Sequence, residues 1–222
     1  MVHCCRQNIT IVRSNLNLIH IQNILEYIDF NRLKRCALID LDPQASAYKW
    51  NERRTEDDPK SPKLDVVKGT VAQLAGFLTL AQDNGLALVV IDTAPHSNSA
   101  AAIVAQRADF VLMPCRPALF DLDAIASTVE IVTSAEASAA VVLNAAPRGK
   151  LADEARTALE GQGITVFPST IHQRAAYSHA VIDGRAVHEY EPEGKAAEEI
   201  AGLYGNISKL FGLYTGRRKA IA

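Results

Sequence analysis

The stretch LIDLDPQAS, at positions 38–46, decides the fold of this chain. A short apolar run leads into Asp40 and Asp42, and Pro43 then stops the run. Because the two acids stand at i and i+2, they leave the carboxyl end of an extended strand pointing the same way. The stretch therefore predicts a buried strand that ends in a pair of carboxylates.

A second stretch, LALVVIDTAP at positions 86–95, repeats the pattern: an apolar run of strand length, Asp92 at its end, then a small-residue loop closed by proline. In an open parallel sheet the ligand crevice lies just beyond the carboxyl ends of the strands, so Asp40, Asp42 and Asp92 are predicted to face one site. Acids gathered there favour Mg²⁺ and phosphate chemistry. The alternative is that each Asp only ends a strand, as a common turn residue.

The chain as a whole has the composition of an ordinary soluble globular protein. Its 222 residues suffice for one domain over positions 1–222 and are too few for two comfortable ones. The formal net charge of −2 does not indicate a nucleic-acid partner, so any DNA contact would need a local basic patch. Apolar runs of membrane-spanning length and the layout of a signal peptide are both missing, so we expect a cytoplasmic protein with no membrane contact.

The first 36 residues differ in composition from the rest. They contain no Ala and no Gly, whereas the chain from Ala37 onward is Ala-rich. Positions 8–12 predict a strand and positions 16–32 a helix, which gives the strand, turn, helix, strand order at the start of a nucleotide-binding α/β fold. At the other end, positions 213–222 form a basic tail.

The two acidic stretches in combination, IDLDPQAS followed by VVIDTAP, resemble the ParA/MinD family of deviant Walker ATPases. The resemblance runs from about residue 37 to residue 211. In that family the first stretch carries a nucleotide-sensing switch and the second is the Walker B strand. The resemblance implies a P-loop NTPase-like α/β fold: a mostly parallel, doubly wound sheet of six to eight strands with helices on both faces.

The resemblance also implies ATP and Mg²⁺ as cofactors and a role for each acid. Asp92 would hold Mg²⁺ through water, Asp40 would support the metal shell, and Asp42 would position the attacking water. These roles suit phosphoryl transfer, where catalysis comes from positioning and charge neutralisation.

Three further residues are implied to bind the nucleotide base. Asn144 ends a predicted strand at positions 139–143, where an asparagine of the family contacts the adenine; its amide both donates and accepts hydrogen bonds. As a turn residue, Asn144 needs no such role. Phe167 and Pro168 begin a segment that resembles the family's loop beside the base.

One motif of the family is missing. The loop after the first strand should read KGGxGK[ST], whose glycines let backbone N–H groups close around the phosphates. Positions 11–16 instead read IVRSNL, with no glycine and no Lys-Ser or Lys-Thr pair. Three explanations stay open: a true pseudo-ATPase, a replaced or frame-shifted start of the gene, or a wrongly chosen start. The change in composition at Ala37 favours the second.

Two functions follow from these observations. The first is a ParA-like partition ATPase that forms an ATP-dependent homodimer, binds DNA non-specifically on the nucleoid, and responds to a ParB-like partner in plasmid or chromosome segregation. The second is a non-catalytic interaction protein that has lost the phosphate-binding loop. A further prediction concerns positions 50–63, WNERRTEDDPKSPK, whose polar composition predicts a solvent-exposed loop or a frayed helix end.

Overall fold

The computed structural model describes residues 9–13, 36–57, 64–94, 98–182 and 184–211. Within these ranges seven parallel strands form one sheet in the order β3-β2-β4-β1-β5-β6-β7. The strands are β1 (Ile9–Arg13), β2 (Cys36–Asp40), β3 (Asp65–Lys68), β4 (Leu88–Asp92), β5 (Phe110–Cys115), β6 (Ala139–Ala146) and β7 (Val166–His172). The predicted parallel, doubly wound sheet is confirmed.

Helices connect the strands. They are α1 (Ser46–Asp57), α2 (Leu74–Asp83), α3 (Asn98–Ala105), α4 (Leu119–Ser134), α5 (Leu151–Gly161), α6 (Ala175–Ile182), α7 (Val187–Tyr190) and α8 (Lys195–Leu210). One turn of 3₁₀-helix, Val71–Gln73, leads into α2. Among the described helices, none combines the length and the apolar character that a membrane crossing needs.

The sheet carries an apolar core on each face. Leu38 and Val90 pack with residues of α1, α6, α7 and α8, whereas their neighbours Ile39 and Val89 pack with residues of α2 to α5. Because both faces are covered, the central strands read as continuous apolar runs rather than as alternating ones. This explains why the stretches quoted first predict the sheet so directly.

Helix α1 corrects the prediction for positions 50–63. Residues 50–57 are helical, and the side chains of Trp50 and Arg54 are 0% and 2% exposed. Ala47, Trp50 and Arg54 stand at i, i+3 and i+7, so they form one buried stripe of the helix. Of the two alternatives, the solvent-exposed loop is therefore wrong for residues 50–57, which form the end of a helix. Three buried positions among residues 46–54 are enough to dock a helix of polar composition. Residues 58–63 lie outside the described ranges.

Glu199 of α8 joins three elements at the end of β7. Its carboxylate accepts hydrogen bonds from the backbone N–H of His172 (3.2 Å), from Arg174 Nη2 (2.6 Å) and from the Tyr177 hydroxyl (3.2 Å). Burial raises the pKa of Glu199, but the hydrogen bonds from Arg174 and His172 outweigh burial, so the pKa lies below its ordinary value. The cluster fixes α6 against α8.

Gly184 allows the segment before α7 to approach α1. Its φ of +66° lies in the left-handed region, and a Cβ at this position would stand 3.0 Å from Arg54 Cα and 3.1 Å from Arg54 N. Both neighbouring atoms belong to the backbone and cannot rotate away. Only glycine satisfies the conformation and the contact together.

We predict that Glu199→Gln destabilises the protein in a pH-dependent way. At pH 7 the loss in unfolding free energy should be about 2 kcal/mol, the range of hydrogen bonds to a charged group. Because the folded-state pKa is depressed, the contribution of Glu199 is present above the ordinary glutamate pKa and is lost as pH falls through the folded value. Urea unfolding at pH 7 and at successively lower pH should show the difference from wild type shrinking. Glu198→Gln, whose side chain is 68% exposed, is the matched control with little effect. A difference that does not change with pH would contradict the prediction.

We predict that three glycine-to-alanine variants separate strain from steric clash. Gly184→Ala should cost more than about 2 kcal/mol, because it adds a backbone clash to the left-handed penalty of roughly 1–2 kcal/mol. Gly163→Ala, at φ +77° with open space around it, should cost only that penalty. Gly202→Ala, inside α8 with no near neighbour, should stabilise by roughly 0.5–1 kcal/mol. Equal effects at Gly184 and Gly163, measured by urea unfolding, would show that the contact with α1 is not tight.

Candidate functional site

Asp40 and Asp92 lie side by side at the carboxyl ends of neighbouring strands. They are register partners in the parallel pair β2–β4, and Arg13 is the register partner of Asp92 on the other side, in the pair β1–β4. The backbone N–H of Leu41 donates to the Asp92 carbonyl oxygen at 2.8 Å and continues the alignment past the strand end. The predicted convergence of these two acids on one edge of the sheet is what the structure shows.

The Asp40 carboxylate is fully buried and accepts three backbone hydrogen bonds. Oδ1 accepts from the N–H of Asp42 (3.1 Å), and Oδ2 accepts from the N–H groups of Ala47 (3.0 Å) and Tyr48 (3.1 Å). Two of these donors belong to the first turn of α1, where N–H groups have no partner inside the helix. Asp40 therefore ties the loop and the helix that follow β2 to the end of that strand.

Burial is the main influence on the Asp40 side chain and raises its pKa. The hydrogen bonds from Tyr48, Asp42 and Ala47 act in the opposite direction, and the nearby Asp42 charge adds to the increase. Hydrogen bonds from N–H groups favour the ionised form, whereas burial disfavours it. The side chain is thus a buried acid whose lone pairs already serve the backbone.

Asp42 lies in the turn between β2 and α1 and stays partly exposed. Its Oδ1 accepts from the backbone N–H of Gln44 (2.8 Å), and its carbonyl oxygen accepts from the N–H of Ala45 (2.8 Å). Ala45 has a φ of +49°, which closes the turn. Two local hydrogen bonds thus orient Asp42, and its carboxylate remains accessible at the edge of the sheet.

Asn144 is a buried amide without a hydrogen-bond partner among the described residues. Its side chain is 1% exposed, and neither Oδ1 nor Nδ2 has a partner there. It stands one residue beyond the register pair Cys115–Leu143, and β6 continues past it to Ala146, so the prediction that the strand ends at Asn144 is wrong. A buried donor and acceptor left unpaired costs free energy, so such a group calls for a ligand or an ordered water. The edge of the sheet formed by the carboxyl ends of the strands, which we call the rim, thus offers a polar group that suits a nucleotide base.

Phe167 and Pro168 lie inside β7, so the prediction of a loop at these positions is wrong. The Phe167 ring is buried against Phe110, with centroids 6.1 Å apart, and Val166 is in register with Val141, three residues before Asn144. β7 is the last strand in the sheet order, and an edge strand tolerates the missing N–H of proline. The structure does not bring these two residues to the strand ends, and their contact with a base stays a prediction.

Sequence reasoning missed two side chains that organise this region. Arg156 of α5 donates to the carbonyl oxygen of Phe167 (3.0 Å) and to Thr170 Oγ1 (3.2 Å), which ties α5 to β7. Arg54 of α1 pairs with Glu189 of α7. The helical spacing of Ala47, Trp50 and Arg54 could have indicated that Arg54 is buried. No local pattern in the sequence indicated the role of Arg156.

The two aligned aspartates are the metal ligands that the family resemblance implies among the described residues. Within the described ranges no three His, Cys, Asp or Glu side chains lie close enough to hold a metal ion. Mg²⁺ in phosphate chemistry uses one or two carboxylates and takes its remaining oxygens from water and the phosphates. Asp40 and Asp92 are 0% and 4% exposed, and three backbone N–H groups already donate to Asp40, so Asp92 is the better candidate of the two for such a ligand. Residues 14–35, where a phosphate cradle would lie, and His96 fall outside the described residues.

Comparison with known proteins identifies relatives. A comparison with models of known protein families finds no match. The maintenance of carboxysome distribution protein A of Gloeobacter kilaueensis is 32% identical over 180 residues, which are 79% of this chain and 80% of the relative. The protein of the same name from Halothiobacillus neapolitanus is 30% identical over 183 residues, 78% of this chain and 82% of the relative.

The fold is shared with solved structures. The septum site-determining protein MinD of Pyrococcus horikoshii, solved with Mg-ADP, superimposes with a TM-score of 0.72 at 10% identity, over 94% of this chain and 100% of that one. Identity this low supports the fold alone, whereas the two relatives at 30% or more cover most of both chains. The chain therefore belongs to the ParA/MinD family, in the branch of the maintenance of carboxysome distribution protein A.

Proposed function

We propose that this chain is an ATP- and Mg²⁺-dependent positioning protein that distributes a cellular cargo of the carboxysome kind. The observation that carries the proposal is the in-register pair of Asp40 and Asp92 at the carboxyl ends of β2 and β4. The names of the two relatives favour the carboxysome as cargo over the plasmid or chromosome expected from the two acidic motifs alone.

The proposed roles follow the geometry of the rim. Asp92 would hold Mg²⁺ through water, and Asp42 would orient the attacking water with its partly exposed carboxylate. The buried amide of Asn144, which has no partner among the described residues, would bind the base. The strands β4 and β6 are three places apart in the sheet, or roughly 14 Å at about 4.8 Å per strand, so base and phosphates of one nucleotide can reach both ends. When bound, Mg-ATP supplies the phosphoryl transfer that drives the cycle.

Asp40 has a different role in this proposal from the one expected at first. Its three backbone hydrogen bonds and its burial favour an anchor for the loop that carries Asp42. Support of the metal shell by Asp40 stays a prediction.

A homodimer is part of the proposal. Leu119 and Phe120, which open α4 immediately after the carboxyl end of β5, are 69% and 83% exposed. Exposed apolar side chains at this rim suit contact with a second copy across the nucleotide site. Non-specific DNA contacts through the basic tail, a ParB-like partner and a cytoplasmic location complete the proposal.

A second candidate function rests on the turn after β1. Positions 11–16 contain no glycine and no lysine, so the sequence does not fit a backbone cradle for the β- and γ-phosphates. This favours a non-catalytic member of the family that keeps the sheet and the dimer surface and positions its cargo without hydrolysis.

Isothermal titration calorimetry with Mg-ATP separates the two candidates. The ATP-dependent protein should bind in the micromolar range, and Asn144→Ala should weaken binding about tenfold, because it removes about 1–2 kcal/mol of base contact. Asn84→Ala is the matched control, since Asn84 follows α2 and precedes the amino end of β4, at the opposite edge of the sheet, and should leave binding unchanged. The absence of a binding signal at millimolar nucleotide would reject the ATP-dependent function and support the non-catalytic one.

The anchor role of Asp40 has its own test, in the absence of any ligand. Asp40→Asn should lower the unfolding free energy by about 2–3 kcal/mol. Three backbone N–H groups donate to the two oxygens of Asp40, whereas asparagine has one oxygen, and its NH₂ group would face an N–H donor. Asp123→Asn, at an exposed position of α4, should have little effect. Urea unfolding measures both. Unchanged stability of Asp40→Asn would remove the anchor role and restore the role in the metal shell.

A further inference from the structure

Arg54 forms a two-pronged ion pair in the interior of the protein. Its Nη1 and Nη2 donate to Glu189 Oε2 (2.6 Å) and Oε1 (2.7 Å), and Nη1 also reaches the Gly184 carbonyl oxygen at 3.4 Å. Glu189 Oε2 accepts in addition from the backbone N–H of Ala186 (3.0 Å). The Arg54 side chain is 2% exposed and that of Glu189 20%. We call this ion pair, Arg54 with Glu189, the clamp.

The clamp and Asp40 hold the same helix at two points. Asp40 accepts from the N–H groups of Ala47 and Tyr48 in the first turn of α1, and Arg54 stands two turns after Ala47 on the same buried stripe. Seven residues of helix span roughly 10 Å, so the two anchors are linked by one short rigid element. Any shift of α1 at Arg54 is therefore passed to the turn that carries Asp42.

Stability alone does not explain the clamp. Taking both charges out of water offsets most of their attraction, and replacing a buried ion pair by apolar side chains of similar volume is often neutral or stabilising. The fork geometry of Arg with a carboxylate does fix distance and direction closely. Its effect is therefore to define where α1 lies against the segment 184–190.

We propose that Arg54 and Glu189 are positioning residues for Asp42, acting through α1 and the hydrogen bonds of Asp40. The importance of the Asp42 position rests on the proposed function, whereas the mechanical link does not. The clamp holds the second point of α1, and the carboxylate of Asp42 keeps its place at the rim only while both points are fixed.

The experiment replaces the clamp by apolar side chains, in the double variant Arg54→Met/Glu189→Leu, which leaves no unpaired buried charge. Amide hydrogen exchange should become at least tenfold faster at Asp42, Ala47 and Tyr48, whose N–H groups donate to Asp40. It should change less than twofold at Val111 and Val141, whose N–H groups bond to the Ser138 and Thr165 carbonyl oxygens in the sheet. The centre of the Trp50 ring lies 5.8 Å from Arg54 Cζ, and Trp50 is the one tryptophan of the chain. Its fluorescence therefore reports independently that the clamp has been lost.

A matched control removes an ion pair of the surface instead. In Lys195→Met/Glu198→Gln both original side chains are about 70% exposed, at 71% and 68%, and exchange at Asp42, Ala47 and Tyr48 should stay at the wild-type rate. Arg54→Lys keeps the charge but loses the fork, so its exchange rates should fall between those of wild type and the double variant.

Two results overturn the proposal. In the first, Trp50 fluorescence changes while exchange at the Asp40 donors does not, which shows that α1 does not link the two points. In the second, exchange accelerates equally at Val111 and Val141, which shows only a general loss of stability. Because no nucleotide is present, both results are independent of whether the chain binds ATP, so a failure here is distinguishable from a failure of the proposed function.

Discussion

The rest of the site depends on the buried carboxylate of Asp40, which accepts hydrogen bonds from three backbone N–H groups. The end of β2, the turn with Asp42 and the first turn of α1 meet on its two oxygens. A charged acceptor satisfies helix N–H groups better than a neutral one, and it does so in the interior, where unpaired donors are most costly. Because β2 and β4 are in register, the same carboxylate fixes the turn relative to Asp92.

The sheet and the alignment of its acids were predictable from the sequence, because both rest on local patterns. Two uninterrupted apolar runs of strand length, each followed by Asp, are typical of buried parallel strands, whose carboxyl ends meet at one edge of the sheet. The amide of Asn144 was predictable in the same way. That it has no hydrogen-bond partner in the described part of the chain was not predictable, since that depends on what surrounds it.

The failed predictions share a physical cause, which is contact over long sequence distance. The polar composition of positions 50–57 predicted an exposed segment. The local pattern could not show that Arg54 pairs with Glu189, which lies 135 residues later in the chain. The family resemblance implies a loop at Phe167 and Pro168, although an edge strand accommodates the proline. Composition gave the first expectation and the resemblance the second, and in both cases packing decided the outcome. The candidate site divides similarly: Asp92 and Asn144, the residues proposed to bind the metal and the base, lie on strands that were predictable, whereas positions 11–16 depart from the sequence expected of the phosphate loop.

The central place of β1 limits how far the beginning of this chain can vary. β1 pairs with β4 on one side and β5 on the other, and it joins the trio β3-β2-β4 to the trio β5-β6-β7. Without it, two open edges of apolar strands would face each other across a gap one strand wide. A segment grafted in place of the ancestral beginning could persist through evolution only by supplying a strand to that gap. Any sequence there must therefore form a strand that completes the hydrogen-bonding ladder between β4 and β5.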